Sequence, residues 1–191
     1  MAKYKLGIIV GSNRRESINR KLAQALAKLG SDAFDAKFIQ IDDLPMYNQD
    51  IEQPAPEPVA RFKADLSGSD ALLFVTPEHS RSMPAVLKNA IDWGSRPYGK
   101  NSWAGKPAAV TGTSGGAIGT AVAQQHLRQV LGSGMGMHVL GGEAYITFKP
   151  ELIDAQGNVT DDSVRKFLKA FIDQFAGFAG KFVQRVAAAA A

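Results

Sequence analysis

Three loops hold most of the side chains that could do chemistry. The first spans residues 11–19, follows an apolar run and opens a segment with helical spacing. A helix start leaves backbone N–H groups free and carries the positive end of the helix dipole, so this loop favours an anion. Its side chains add further donors: Ser12, Arg14, Arg15, Ser17 and Asn19. A phosphate monoester would suit this set, because charge-assisted hydrogen bonds are the strong ones.

The same loop has a simpler interpretation, in which Ser17 only caps the helix and the arginines are solvated. The loop does not have the G-x-G-x-x-G pattern of dinucleotide-binding folds. It also lacks the G-x-x-x-x-G-K-[ST] pattern of P-loop nucleotidases. The Rossmann dinucleotide fingerprint is therefore absent, and the loop argues against a P-loop nucleotidase.

The second loop, residues 76–84, contains two prolines that fix its backbone. Polar groups between them could contact a flat heterocycle, although Glu78 and Arg81 could instead form an exposed ion pair and His79 be a surface imidazole. The third loop, residues 112–119, is rich in glycine, which allows a ligand to approach the backbone closely. A glycine-rich turn before a helix is weak evidence when taken alone.

Composition narrows the possible chemistry. The chain has 191 residues, of which 45% are hydrophobic and 21% charged, as in a globular protein of one domain, 1–191. It has no cysteine, which excludes disulfide scaffolds, cysteine-bound metals and thiolate nucleophiles. The chain has three histidines, and no two of them are four residues apart, which argues against a histidine metal site. We expect no metal, and no triad or carboxylate pair stands out as catalytic.

The net charge is +4, which suits an anionic ligand or a solubilising surface equally well. Lysines and arginines are not interleaved with aromatic residues, so nucleic-acid binding is the weakest hypothesis. No stretch is apolar and long enough to cross a bilayer, and the N-terminus lacks a secretory signal. We therefore expect a cytoplasmic protein that binds no membrane. The run 187–191 is all alanine and carries no side-chain chemistry.

Short apolar runs alternate with amphipathic segments. The runs predict five strands, at Leu6–Val10, Ala36–Ile41, Ala71–Val75, Ala108–Val110 and Met137–Leu140. The amphipathic segments predict five helices, at Ile18–Leu29, Val59–Leu66, Ala85–Trp93, Ile118–Leu131 and Val164–Val186. This alternation predicts an α/β fold with a doubly wound parallel sheet, in the flavodoxin-like order 2-1-3-4-5, and helices on both faces. Ligands of such sheets bind beyond the carboxyl ends of the strands, so function should lie in the loops after strands 1, 3 and 4.

Two segments could contact a second subunit. The last helix carries apolar residues at i, i+3 and i+4 throughout, five of them phenylalanine, and either covers the core or meets another copy. The connection 42–58 is longer than an ordinary loop, which suggests a functional or interface role.

The first two loops resemble a known family. Residues 11–19 match the G-S-x-R-x-x-S-x-N phosphate loop of the NADPH-dependent FMN reductases, which include bacterial quinone, chromate and azo reductases. The segments 77–84 and 87–93 resemble that family's second signature, P-E-Y-N-x-S-x-P followed by L-K-N-A-I-D-W. The third loop and residues 125–128 are also similar to this family.

The resemblance implies a role for each matching position. Those expected to hold the phosphate of non-covalently bound FMN are Ser12, Arg14, Ser17, Ile18 and Asn19. Those expected to line the isoalloxazine, largely through the backbone, are Pro77, Glu78, His79 and Ser80, with Ser82 in the same signature. Its other edge would meet Ser114, Gly115 and Gly116. The family also implies a homodimer or homotetramer.

The chain departs from the family pattern in the second loop. His79 replaces the usual tyrosine, Ser80 replaces the usual asparagine, and Arg81 adds a charge. We therefore hypothesise that His79 and Arg81 contact the substrate and favour an anionic acceptor or the phosphate of NADPH.

The activity implied is an FMN-dependent oxidoreductase with NADPH or NADH as co-substrate. Hydride would pass from NAD(P)H through flavin N5 to a quinone, azo, nitro, chromate or flavin acceptor in the same slot, with ping-pong kinetics. Two alternatives stay open: an electron-transfer flavodoxin without NAD(P)H turnover, and a regulatory domain without catalysis. The basic charge and the arginine-containing loop argue against the first, because flavodoxins tend to be acidic.

Overall fold

The computed structural model describes residues 3–183. It contains six strands: β1 (Tyr4–Val10), β2 (Phe34–Phe38), β3 (Ala71–Val75), β4 (Pro107–Ser114), β5 (His138–Val139) and β6 (Tyr145–Thr147). It contains five α-helices: α1 (Ile18–Leu29), α2 (Glu57–Ser67), α3 (Ala85–Gly94), α4 (Ala121–Gln129) and α5 (Asp162–Ala179). The sequence predicts that the last helix continues to Val186, but α5 ends at Ala179 and Gly180 caps it. The predicted residues 184–186 and the alanine run lie outside the described residues.

All strand pairs in the sheet are parallel, and the order is β2-β1-β3-β4-β5. The predicted flavodoxin-like topology is therefore confirmed. In the centre, Ile9 pairs with Phe74, which pairs with Val110, and these three side chains are fully buried. Helices cover both faces of these strands, which explains why the strands are continuous apolar runs rather than alternating ones.

The edge beyond β4 differs from the prediction. β5 pairs with the start of β4, whereas β6 pairs with its end, from Gly112 to Ser114. The sequence did not predict β6, because only Ile146 of its three residues is buried. The Thr113 hydroxyl donates to the Ile146 carbonyl at 2.7 Å, so side chains reinforce the pairing that extends β4 as far as Ser114.

Several predicted boundaries are wrong by a few residues. β2 begins two residues earlier than predicted and ends at Phe38, because Phe34 pairs with Tyr4 and register overrides the local pattern. α4 begins three residues later than predicted, since Thr120 takes a left-handed conformation at its start. Its other end runs into a π-helical turn at Val130–Gly134.

The sheet separates two apolar layers. One layer packs α1 and α5 against the sheet, through side chains that include Leu22, Leu26, Phe171, Ile172 and Phe175. The other packs α2, α3 and α4, through side chains that include Phe62, Leu87, Ile91, Trp93 and Leu127. Burying one such side chain stabilises the fold by about 1.5–3 kcal/mol. Because Phe171, Ile172 and Phe175 are buried in the first of these layers, most of the Phe-rich stripe of α5 faces the core, although Phe167 is 46% exposed.

No helix within residues 3–183 has the length and apolar character needed to cross a bilayer.

The long connection 42–58 is tied to α3 at its start. The Asn89 side chain accepts a hydrogen bond from the Tyr47 backbone at 2.7 Å, and the Trp93 indole donates to the Pro45 carbonyl at 2.7 Å. The Tyr47 and Trp93 rings meet edge to face, with centroids 5.2 Å apart. Two residues of the second signature thus hold a loop in place.

Candidate functional site

Three loops meet beyond the carboxyl ends of β1, β3 and β4, as the topology predicts. They enclose an open cleft of about 360 Å³. The cleft brings together ten of the expected site residues: Ser12, Arg14, Ser17, Ile18, Asn19, Pro77, Glu78, His79, Ser114 and Gly115. It does not include Ser80, Arg81, Ser82 or Gly116 in its lining.

The start of α1 forms one end of the cleft. The buried Ser17 hydroxyl caps the helix by accepting from the Arg20 backbone at 3.2 Å. Within residues 3–183 the backbone N–H groups of Ser17, Ile18 and Asn19 have no acceptor. Arg14 lines the same end and has no carboxylate partner in the described chain. This is a set of neutral and cationic donors for an anion, and the capping role of Ser17 leaves its hydroxyl hydrogen able to join them.

Asn19 joins two of the loops. Its side-chain nitrogen donates to the Thr113 carbonyl at 2.9 Å, and its side-chain oxygen accepts from the Thr113 backbone N–H at 2.9 Å. The residue is 2% exposed. This side chain is therefore largely committed to the end of β4, and Asn19 faces the cleft mainly with its backbone N–H.

The second loop ends in a tight turn. His79 and Ser82 exchange backbone hydrogen bonds of 3.0 and 2.9 Å. Between them, Ser80 has φ 49° and Arg81 has φ 62°. Two successive positive φ values are characteristic of a type I′ turn, which glycine and asparagine adopt with least strain. Strain of this kind concentrates at functional sites.

Helix α4 holds this turn through contacts with Glu78 and Ser82. The Glu78 carboxylate accepts from the Ala123 backbone at 3.1 Å and from the Arg81 guanidinium at 2.9 Å. Burial acts to raise the pKa of Glu78, but these two hydrogen bonds outweigh it and lower the pKa. The Ser82 hydroxyl lies 2.8 Å from Nδ1 of His126 on α4. The structure thus contains the Glu78–Arg81 ion pair, which the sequence analysis gave as the alternative to a contact with a flat heterocycle.

The third loop is fixed by β6. A Cβ atom at Gly119, which has φ +57°, would lie 2.8 Å from the Ile146 backbone nitrogen. Only glycine fits there, since both the conformation and the space exclude a side chain. The fully buried Gln124 amide donates to the Gly119 and Ala144 carbonyls, which holds the loop against the same edge.

Sequence reasoning missed five residues that line the cleft: Gly11, Asn13, Pro84, Val86 and Thr113. Val86 belongs to the apolar stripe of α3, so its pattern indicated only core packing. Gly11, Asn13, Pro84 and Thr113 lie within the three loops that the sequence singled out, but no role was assigned to any of them. Pro84 and Val86 add an apolar wall to the cleft that the donors at α1 also line.

This chemistry fits FMN. Unpaired N–H groups, a hydroxyl and an arginine at one end suit a phosphate. The apolar wall suits a flat ring, and His79, where the strained turn begins, lines the same cleft. The backbone N–H groups of Ser80 and Arg81 in that turn have no acceptor in the described chain. The groups at Ser17–Asn19 could hold the phosphate, while Pro77–His79 and Ser114–Gly115 could flank the ring.

Known proteins support this assignment. The family model of NADPH-dependent FMN reductase matches residues 4–151. The chain is 47% identical to a 2-hydroxy-1,4-benzoquinone reductase of Burkholderia sp over 91% of this chain and 95% of the relative. It is 48% identical to a quinone reductase of Pseudomonas putida, over 92% and 94%.

A solved structure extends the similarity to the backbone. The flavoenzyme FerB of Paracoccus denitrificans, an NAD(P)H:(acceptor) oxidoreductase, is 46% identical and superposes with a TM-score of 0.91, covering 94% of this chain and 98% of FerB. The chain therefore belongs to the NADPH-dependent FMN reductase family and is an oxidoreductase that uses FMN and NAD(P)H.

Proposed function

We propose that the protein passes two electrons from NAD(P)H through FMN to a quinone, with both substrates using the cleft in turn. The observation that carries the proposal is that one cleft combines unpaired N–H donors at Ser17–Asn19 with the apolar side chains of Pro84 and Val86. FMN, when bound, would supply the redox chemistry of this two-electron transfer. The protein's own residues bind and orient, so no side-chain acid or base is assigned.

A quinone is the preferred acceptor. Two relatives that share nearly half of the sequence are named for quinone reduction, one of them for a hydroxylated benzoquinone. The open cleft and its apolar wall suit a flat ring of that kind. Nitroaromatic compounds, azo dyes, chromate and free flavin are secondary candidates that the same open face would accept.

The visible spectrum of the purified protein, recorded before and after anaerobic NADPH, tests the proposal. We expect a yellow protein that NADPH or NADH bleaches within the mixing time and that regains its colour when 1,4-benzoquinone is added. A yellow protein that neither coenzyme bleaches would instead be an electron-transfer flavodoxin. A protein that retains no flavin and takes up no added FMN would contradict the proposal.

If NAD(P)H and the quinone occupy the same part of the cleft in turn, the kinetics must be ping-pong. Initial rates measured at several NAD(P)H and quinone concentrations should give parallel double-reciprocal lines. Intersecting lines would show that both substrates bind together, and the shared slot would then be rejected.

We also propose that the protein is a homodimer or homotetramer. Exposed apolar side chains on the connection 42–58 and on α5 support this: Met46 is 73% exposed and Phe167 is 46% exposed. Sedimentation of the purified protein at micromolar concentration should show the assembly, and a monomer would contradict it.

We place the protein in the cytoplasm, where reduced nicotinamide coenzymes are available as electron donors. When cells that express the protein are fractionated, the flavin absorbance that NADPH bleaches should be found in the cytoplasmic fraction. Recovery in the membrane or secreted fraction would contradict this placement.

A further inference from the structure

A second cavity lies beside the cleft, beyond the ends of β1 and β2. It has a volume of about 250 Å³ and meets the cleft at Ser12, which lines both. Its floor is apolar, and Val10, Ile39 and Ile41 there are almost fully buried. Its polar lining comes from Ser12, Arg20, Gln40 and Asp42.

Arg20 has a charge that the fold does not neutralise. Five other arginines of the described chain have protein partners: four pair with carboxylates, and Arg128 donates to backbone carbonyls. Arg14 and Arg15 lack such partners within residues 3–183, as Arg20 does, but neither of them lines this cavity. Arg20 has neither kind of partner within residues 3–183. Its exposed guanidinium stands at the cavity, where it could form a bidentate contact with a phosphate.

Arg61 holds another part of the lining, by using the Gln40 side chain and leaving Asp42 without a partner in the described chain. Arg61 donates to the side chain of Gln40 at 3.0 Å and to both oxygens of the Asp43 carboxylate at 2.9 and 2.8 Å. The neighbouring Asp42 has no partner in the described chain, so its carboxylate is available to accept from a ligand hydroxyl. A preformed wall of this kind lowers the entropic cost of binding.

We propose that this cavity takes the adenosine 2′-phosphate part of NADPH and makes the enzyme prefer NADPH to NADH. The inference rests on the proposed function, because the coenzyme would reach from the flavin cleft past Ser12 into the cavity. The apolar floor receives the purine, Asp42 accepts from a ribose hydroxyl, and Arg20 binds the 2′-phosphate.

Steady-state kinetics of the FMN-loaded protein, with 1,4-benzoquinone as acceptor, test the assignment. In Arg20→Ala we expect the KM for NADPH to rise about tenfold or more and the KM for NADH to stay within about twofold. Lys21→Ala is the matched control, since it removes one charge from the next position of α1, which lines a different cavity. It should leave both KM values unchanged. Equal effects of Arg20→Ala on both coenzymes, or none, would overturn the inference.

The variant Asp42→Asn tests the role assigned to Asp42 separately from the role assigned to Arg20. Both coenzymes carry the hydroxyl that Asp42 is assigned to bind, so this variant should raise both KM values by a similar factor. An effect confined to one coenzyme would overturn that assignment.

Calorimetric titration with adenosine phosphates measures binding at the second cavity without any need for turnover. Adenosine 2′,5′-bisphosphate should bind the FMN-loaded wild type at least tenfold more tightly than adenosine 5′-monophosphate, and Arg20→Ala should abolish the difference. If the wild type oxidises both coenzymes but shows no such difference, the proposed function stands and the cavity assignment fails. If the bisphosphate binds through Arg20 but no coenzyme is oxidised, the cavity assignment stands and the proposed function fails.

Discussion

Asn19 and Thr113 are 94 positions apart in sequence, yet the Asn19 amide binds both backbone groups of Thr113 at 2.9 Å. The pair joins the loop that begins α1 to the end of β4. Both loops line the cleft, so this reciprocal contact sets the separation between the phosphate end and the third loop.

Asn19→Leu should destabilise the protein by about 2–4 kcal/mol and weaken FMN binding. The substitution keeps a similar volume but leaves the buried N–H and carbonyl of Thr113 without partners. Urea unfolding and FMN titration measure the two effects. Asn13→Ala is the control, because Asn13 lines the same cleft without a side-chain hydrogen bond in the described chain, and its stability should change by less than about 0.5 kcal/mol. Equal stability of Asn19→Leu and wild type would contradict this role.

Ser82 and His126 should act as a unit in FMN binding. Their contact ties the turn 79–82 to α4, so Ser82→Ala and His126→Ala should each weaken FMN binding several-fold. The double variant should be no worse than the poorer single variant, with a coupling of about 0.5–1.5 kcal/mol. His126→Asn should restore part of the affinity, since its amide can still hydrogen-bond. Strictly additive losses would show that the contact does not hold the turn.

The left-handed conformation of Ser80 predicts opposite tolerance of two substitutions. Ser80→Val should cost about 1–3 kcal/mol, because a β-branched residue is strained at positive φ. Ser80→Asn should be neutral or slightly stabilising, because asparagine adopts this conformation more readily. Thermal unfolding compares them directly. Similar melting temperatures for the two variants would mean that residue 80 is not held in this conformation in solution.

Acid should weaken the wall of the second cavity. The hydrogen bonds from Arg61 hold the pKa of Asp43 below its ordinary value. Stability from this group is therefore complete above the unfolded-state pKa, near 4, and is lost as the pH falls through the lower folded-state value. Wild type should lose more stability than Asp43→Asn between pH 5 and pH 3 in urea unfolding. Asp50→Asn, at an exposed carboxylate with no side-chain partner in the described chain, should behave like wild type. Parallel pH profiles for wild type and Asp43→Asn would contradict the prediction.

Arg81 should influence the acceptor weakly. Its side chain is 67% exposed and pairs with Glu78, so it lies at the rim with part of its charge offset. Arg81→Ala should raise the KM for an anionic hydroxyquinone about two- to fivefold and leave the KM for neutral 1,4-benzoquinone unchanged. Initial-rate measurements with the two quinones decide this, and equal changes would reject a role in selecting charge.

Local sequence was enough for the strand order and for the position of the cleft. Continuous apolar runs require a sheet covered on both faces, and right-handed crossovers leave few strand orders. The sheet order agrees with this prediction, and the loops after strands 1, 3 and 4 do meet at one cleft. The family motifs also lie in local segments, so they could be recognised without coordinates.

Only the tertiary structure decided what each polar side chain contacts. Asn19 binds the end of β4 rather than presenting its amide freely to an anion, and Ser82 contacts α4. Short β6, with a single buried residue, exists because β4 offers it unpaired backbone groups. These features depend on hydrogen bonds between residues far apart in sequence, and such partners become neighbours only once the apolar layers have packed. The pattern of apolar residues therefore determines where the backbone goes, while the final positions of the polar groups depend on the whole fold.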